Sequence, residues 1–192
     1  PSSLSLPVFE NFDGFGWVRG TGGGGNSLIP FPWVRTPTPN VSNYTWHPWN
    51  STVTSGAANT GPSFDHTGNG GNYVYTETSF PASNAISPTL ESPCINLGNA
   101  SGAIMEFWYH KWGATQGDMF VEVNDGSSWT QLLRINGQTQ TSSTALWSKA
   151  TVNLNRYAGQ RIKLRWRATY GGSFTGDMAI DDVEIFEPIP QD

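Results

Sequence analysis

Cysteine is all but missing from this chain of 192 residues, where Cys94 stands alone. No internal disulfide can form, and no cluster of thiolates can hold zinc or an iron–sulfur centre. Charge is scarce as well: 13% of residues are charged, against roughly 25% in an average soluble domain. With 10 basic and 15 acidic side chains the formal net charge is −5, which gives no support to nucleic acid as a partner. No apolar run approaches the roughly 20 residues of a membrane span, and no stretch of about 11 residues repeats apolar positions with a helical period. What the chain does have is 22 glycines, 13 prolines and a 36% hydrophobic fraction rich in aromatics, together with abundant Ser, Thr and Asn. That palette builds many short strands joined by long loops, in one large domain with a sizeable core.

Catalytic signatures are missing too. There is no His-Glu-x-x-His and no Gly-x-Ser-x-Gly, and the glycines from Gly22 to Gly25 precede neither a helix nor a lysine. The three histidines, His47, His66 and His110, are scattered. Glu106 and Glu122 could face each other across two strands, as glycosidase carboxylates do, but no strand motif of a jelly-roll glucanase surrounds them. The expectation is a chain that does not catalyse.

Parity marks the strands. Arg161 to Ala168 alternates without error, placing Ile162, Leu164, Trp166 and Ala168 on a core face and Arg161, Lys163, Arg165 and Arg167 on the other. Four like charges on one face repel, so they require carboxylates or an anionic ligand beside them. From Ala103 to Lys111, Met105, Phe107 and Tyr109 are assigned inward, leaving Glu106, Trp108 and His110 outward. Met119, Val121 and Val123 point inward from the next strand, and Asp125-Gly126 turns the chain before a strand at 129–135. Ala150, Val152 and Leu154 define another core face, and Asn155 to Gly159 reads as a single helical turn. Adding 8–12, 31–35, 73–78, 88–95 and 178–186 gives about ten strands in an all-β, antiparallel two-sheet β-sandwich. On the last strand, parity groups Asp181 with Ala179, Val183 and Ile185, among core-facing residues.

Three segments together resemble the MAM domain family of meprins, neuropilins and receptor tyrosine phosphatases. They are the turn Gly61-Pro62-Ser63-Phe64-Asp65-His66-Thr67, the strand Phe107-Trp108-Tyr109-His110 and the ending Asp177-Met178-Ala179-Ile180-Asp181-Asp182-Val183. With Phe9-Glu10-Asn11-Phe12-Asp13 and Trp33-Val34-Arg35, the resemblance covers residues 8–187, leaving 1–7 and 188–192 as linkers. It implies a jelly roll, and the absence of the disulfides usual in animal members points to a bacterial secreted protein. The resemblance also implies a structural calcium ion held by Glu10, Asp65 and Asp181 with backbone carbonyls, Asp13 being a further candidate. Against this, Asp65 can cap its own turn and Asp181 can accept hydrogen bonds from backbone or Trp donors.

Two regions are candidates for ligand binding. Residues 36–60 form an insertion longer than the family pattern requires, carrying Tyr44, Trp46, His47 and Trp49, whose rings either stack on sugars or cap the sandwich. The basic row Lys163, Arg165 and Arg167, with Trp108 and His110, could grip an anionic polysaccharide or could pair with glutamates on a solvated face. The function expected is therefore a non-catalytic extracellular binding module for carbohydrate, attached to a catalytic domain in the same secreted polypeptide. The alternative is a protein-interaction or adhesion module.

Overall fold

The computed structural model describes residues 3–21, 25–50, 59–79 and 83–188. Among these described residues thirteen strands follow in chain order: β1 (Leu4–Ser5), β2 (Val8–Glu10), β3 (Val34–Thr36), β4 (Trp46–Trp49), β5 (Tyr73–Thr76), β6 (Thr89–Glu91), β7 (Ile95–Asn96), β8 (Ile104–His110), β9 (Met119–Asn124), β10 (Trp129–Ile135), β11 (Ser148–Asn153), β12 (Arg161–Ala168) and β13 (Ala179–Phe186). The helical turn expected after Leu154 is a 3-10 turn at Asn155–Tyr157.

They form a sandwich of a seven-stranded and a six-stranded sheet, consistent with a jelly roll. In the first, β12 is central: β9 and then β10 extend one edge, while β7 and β6 share the other and lead to β1 and β3. In the second, β13 is central between β8 and the pair β5 and β2, with β11 beyond β8 and β4 beyond β5. The inward parity of β12 and β9 holds, since Ile162, Leu164, Trp166, Val121 and Val123 are all buried between the sheets. Trp166 anchors that core, stacked on Trp33 at 6.3 Å and edge-on to Phe107 at 5.6 Å.

Three features depart from the sequence reading. Leu4–Ser5, expected in a linker, pairs in parallel with β7. Trp46–Trp49, expected in an insertion loop, is an edge strand on β5; residues 51–58 of that insertion lie outside the described residues, as do 1–2 and 189–192 of the linkers. The third is a β-bulge in β13. Asp181 stands opposite Trp108 but Glu184 opposite Glu106, so one extra residue is inserted, with Asp182 at φ 44°. The bulge reverses the parity: Val183 and Ile185 enter the core between the sheets, whereas Ala179 belongs to a second cluster on the outer face with Tyr73, Tyr75 and Trp147. Asp181 keeps the parity of Ala179, and its expected place beside Val183 is corrected.

The six-stranded sheet is thus apolar on both faces. Its outer face is covered by connecting segments: His66 stacks on Trp108 with ring centres 3.9 Å apart, and the Trp147 indole donates to the Phe64 carbonyl at 3.2 Å. His110, assigned outward by parity, is buried under this cover, edge-on to Trp147.

The loops that close the end of the sandwich cross without room for a side chain. A Cβ on Gly117 would lie 1.7 Å from the Thr169 carbonyl oxygen, which is fixed because Thr169 and Asp118 exchange backbone and side-chain hydrogen bonds. Gly117→Ala is expected to lower stability by more than about 2 kcal/mol, seen as a melting temperature lower by roughly 5 °C or more in a calorimetric scan. Gly14→Ala, where the nearest heavy atom would be 4.0 Å away, should change it by less than about 0.5 kcal/mol.

Candidate functional site

Tyr44 and Trp46 are fully buried, and the Trp46 indole donates to the Pro88 carbonyl at 3.2 Å. His47 lies beside them, its ring bonded to Ser27 and to the Asn43 carbonyl. Neither Tyr44 nor Trp46 keeps a face for a sugar, so both are withdrawn as ligand contacts. Trp49, at the end of β4, stays partly open to solvent.

Two of the four cations of the basic row, Arg165 and Arg167, are compensated within the protein, whereas Arg161 and Lys163 are exposed and enter none of the ion pairs among the described residues. Glu122 receives Arg165 Nε at 2.6 Å and Arg167 Nη2 at 2.9 Å, while the guanidinium carbons lie 4.1 Å above the rings of Trp129 and Phe120 respectively. Burial works against the Glu122 charge, but the bonds from Arg167 and Arg165 outweigh it and hold the carboxyl below its usual range. Trp108 and His110 stand in the other sheet and are covered, so the groove expected from the basic row with Trp108 and His110 does not form. Lys163 is exposed on β12. Glu106 is likewise in the other sheet from Glu122, bonded to Lys149 at 2.9 Å, and the two carboxylates do not face each other.

The acidic set proposed for calcium is not assembled. Among the described residues no three His, Cys, Asp or Glu side chains come close enough to share a metal ion. Glu10 accepts the Phe12 N–H at 2.8 Å and faces the indoles of Trp17 and Trp33, which favour its charged form against burial. Asp13 accepts the Asn72 N–H at 2.6 Å. Asp65 caps its own turn through the Gly70 N–H at 3.0 Å, and Asp181 accepts the N–H groups of His66 and Asp182 at 2.9 and 2.8 Å. These carboxylates point at N–H and O–H donors, which does not fit a shared cation. Burial, with repulsion from Asp182 and Asp65, pushes Asp181 up to about 8, against the N–H groups of His66 and Asp182 that favour its charged form.

A concave site occurs elsewhere, at the border where the cover of the outer face ends. A cleft of about 590 Å³ is lined by Trp17, Val18, Arg19, Gly20, Trp49, Asn50 and Asn72. Each wall has a reason for its position. Trp17 is pinned by edge contacts to Phe12 and Trp33 at 4.8 and 5.5 Å, drawing the glycine-flanked loop Gly16-Trp17-Val18-Arg19-Gly20 onto the body of the protein. Gly16 at φ 99° lets that loop press against Pro30. Trp49 is tilted against Tyr75 at 6.0 Å. The Arg19 guanidinium donates to the Asn50 side-chain carbonyl, and Asn72 is tied through its Nδ2 to the Phe12 carbonyl at 2.9 Å. Of these lining residues only Trp49 was a candidate from sequence. The others were missed, although a tryptophan and an arginine bracketed by glycines in a loop is a legible signal.

A model of the MAM domain of meprin, A5 and mu matches residues 39–189. The chain belongs to the MAM family. Among relatives, this MAM domain is 27% identical to neuropilin-1a of Danio rerio over 68% of its length, and 30% identical to MAM domain-containing glycosylphosphatidylinositol anchor protein 2 of Mus musculus over 77%. It spans only 14% and 16% of those two proteins. Its fold is similar to that of the K1 cleaved adhesin domain of Lys-gingipain from Porphyromonas gingivalis W83, at TM-score 0.60 and 20% identity, with 96% of this chain and 99% of that one covered. It is also similar to TmCBM61, solved in complex with beta-1,4-galactotriose, at TM-score 0.52 and 17% identity over 82% and 90% of the two chains.

Two outcomes follow from the buried charges of this MAM domain. Burial, and then the neighbouring Asp177, raise Glu77 to about 7. The folded state therefore holds a proton that the unfolded chain has lost, and Glu77 costs stability progressively as pH rises from about 4.5 to 7. Glu77→Gln should remove roughly 3 kcal/mol of that decline, so its melting temperature gains on the parent between pH 5 and pH 8. Glu122→Ala leaves two partly buried guanidiniums without a counter-ion, and chemical denaturation should report a loss of about 2 kcal/mol.

Proposed function

We propose that this MAM domain is a non-catalytic, extracellular glycan-binding module within a larger protein, and that a sugar ring is seated in the cleft between Trp17 and Trp49. One arrangement carries the reading: a partly exposed indole beside two carboxamides and a guanidinium, in a concavity of about 590 Å³ whose walls are pinned by the core. Pyranose rings offer C–H faces that settle on aromatic surfaces and hydroxyls that pair with amides, so a mixed wall of this kind suits them. Asn72, with its Nδ2 committed to Phe12, retains its side-chain oxygen to accept a hydroxyl. The cleft's described lining offers no carboxylate, imidazole or hydroxyl nucleophile, which supports binding without turnover. The galactotriose complex of TmCBM61 adds support by likeness of fold.

The second reading, adhesion to a protein partner, is favoured by the adhesin-domain neighbours. Affinity electrophoresis through gels containing a panel of polysaccharides separates the two. Glycan binding predicts retardation in at least one gel, reduced tenfold or more in affinity by Trp49→Ala and only partly by Trp49→Phe, while Arg165→Ala with Arg167→Ala leaves it in place. Migration unaltered in every gel, or retardation indifferent to Trp49→Ala, removes the proposal; self-association without any glycan response turns the assignment to adhesion.

A further inference from the structure

The cleft carries a charge that a neutral sugar does not use. The protein has a formal net charge of −5, yet Arg19 is the one charged residue among the described lining. Arg134, Arg165 and Arg167 each bind a carboxylate, and Arg35 is buried against the oxygens of Ser27 and Trp46. Arg19 has no such carboxylate, a feature it shares with Arg156 and Arg161, but of these three it is the one that lines the cleft. It is exposed, and none of the ion pairs among the described residues involves it. Its recorded bond runs from Nη1 to the Asn50 side-chain carbonyl, and Asn50 is itself anchored to the Gly70 carbonyl at 3.4 Å. The guanidinium is thus held against the cleft wall by one corner, and the Nε–Nη2 edge has no protein partner among the described residues.

We infer that the cleft selects a sugar bearing a carboxylate, a uronic-acid residue, with Arg19 as the anion-binding group; this rests on the glycan reading above. The Nε–Nη2 edge presents two parallel N–H groups that match the two oxygens of a carboxylate. Fixing the guanidinium in advance lowers the entropy lost when the anion docks. A uronate ring then satisfies both walls at once, its ring face on the Trp49 side and its carboxylate on Arg19. A neutral hexose leaves the guanidinium edge facing a hydroxymethyl group, whose single uncharged oxygen cannot match the two N–H groups at once. The acid closest in bonding to the cleft is Asp13, which receives the backbone N–H of Asn72 and a bond from Asn11. Its charge is directed into those donors, and it opposes the anion without blocking the guanidinium edge.

The test is isothermal titration of the intact chain with uronic-acid oligosaccharides, neutral hexose oligosaccharides of matched linkage and sulfated oligosaccharides, chosen from a glycan array carrying all three classes. A charge-assisted bidentate contact predicts uronates binding about tenfold or more tighter than their neutral counterparts at low salt, with the ratio shrinking as sodium chloride is added. Arg19→Met, which keeps the aliphatic stem, should bring the ratio to about one, and Arg19→Lys should restore only part of it. Equal affinity for acidic and neutral sugars, or a preference that survives Arg19→Met, overturns the inference while leaving the glycan reading intact. Preference for sulfated over uronate sugars overturns the choice of carboxylate. Binding of no saccharide on the array overturns both.

Discussion

The organisation of this protein depends on a sheet that must be covered twice. β13 and its neighbours β5 and β8 present apolar side chains to both sides: Ile180, Val183 and Ile185 towards the opposing sheet, Ala179, Tyr73 and Tyr75 away from it. One face is closed by the other half of the sandwich. The second would leave several large aromatic rings in water, at about 25 cal/mol for each Å² of apolar surface, and the described residues form no third sheet to take it. The chain covers it with connecting segments, laying Phe64 and His66 from one and Trp147 from another across the outer face. The turn Gly61 to Thr67 that marks the family is part of this cover. Its Asp65 closes the turn, and its His66 N–H reaches the Asp181 carboxylate on β13.

Covering a sheet with loops traps polar groups that a plain sandwich would leave wet. Asp181, Glu77, Asp177, His110 and Lys111 are all buried. The protein answers with backbone donors and with altered protonation in place of ion pairs. Asp177 accepts the Thr78 N–H at 2.9 Å, Glu77 accepts the Ser79 N–H at 2.7 Å, and Lys111 donates to the Ile135 carbonyl at 2.6 Å. Burial lowers Lys111 to about 8 and His110 to about 4, the carbonyls of Ala145 and Ser142 facing the His110 ring without reaching hydrogen-bond geometry. The exposed face of the other sheet follows the opposite logic, with Glu122 and its two arginines satisfying one another beside aromatic rings.

The cleft lies where the cover stops. Trp49 ends β4, Asn72 precedes β5, and the loop through Trp17 is drawn in by the aromatic contacts around Phe12 and Trp33. Because these walls are extensions of packed rings, the concavity exists before any ligand arrives. Preformed shape of that kind is what a weak, shallow ligand such as a sugar needs, since little binding energy remains to organise the protein.

How much of this could be read without coordinates depended on the range of the interaction involved. Strand β12, with its faultless alternation, and β9, whose Met119, Val121 and Val123 face the core, were legible because side-chain parity is a property of consecutive residues. The pairing need of the cations on β12 was legible for the same reason, and outward parity made Glu122 a candidate partner, but only the pairing of β9 with β12 brought it to Arg165 and Arg167 and left Glu106 in the other sheet. The bulge at Asp182 was hidden: its register with β8 is set by residues about 75 positions away, and no local pattern announces it. That single insertion moved Asp181 from the core between the sheets to the outer cover, against the turn that carries Asp65 and His66. Tyr44 and Trp46 were read as aromatics in a loop, and only the pairing of β4 with β5 for Trp46 and the contact with Tyr170 for Tyr44 show them buried. Arg19 met Asn50 across 31 residues of sequence to form the cleft wall. The sequence by itself determined the long strands such as β9 and β12, the faces of those strands and the family, because these follow from periodicity and short motifs. The tertiary structure alone decided which carboxyls burial pushes towards the protonated form and where a cleft opens, because both depend on which distant segments exclude water from the same place.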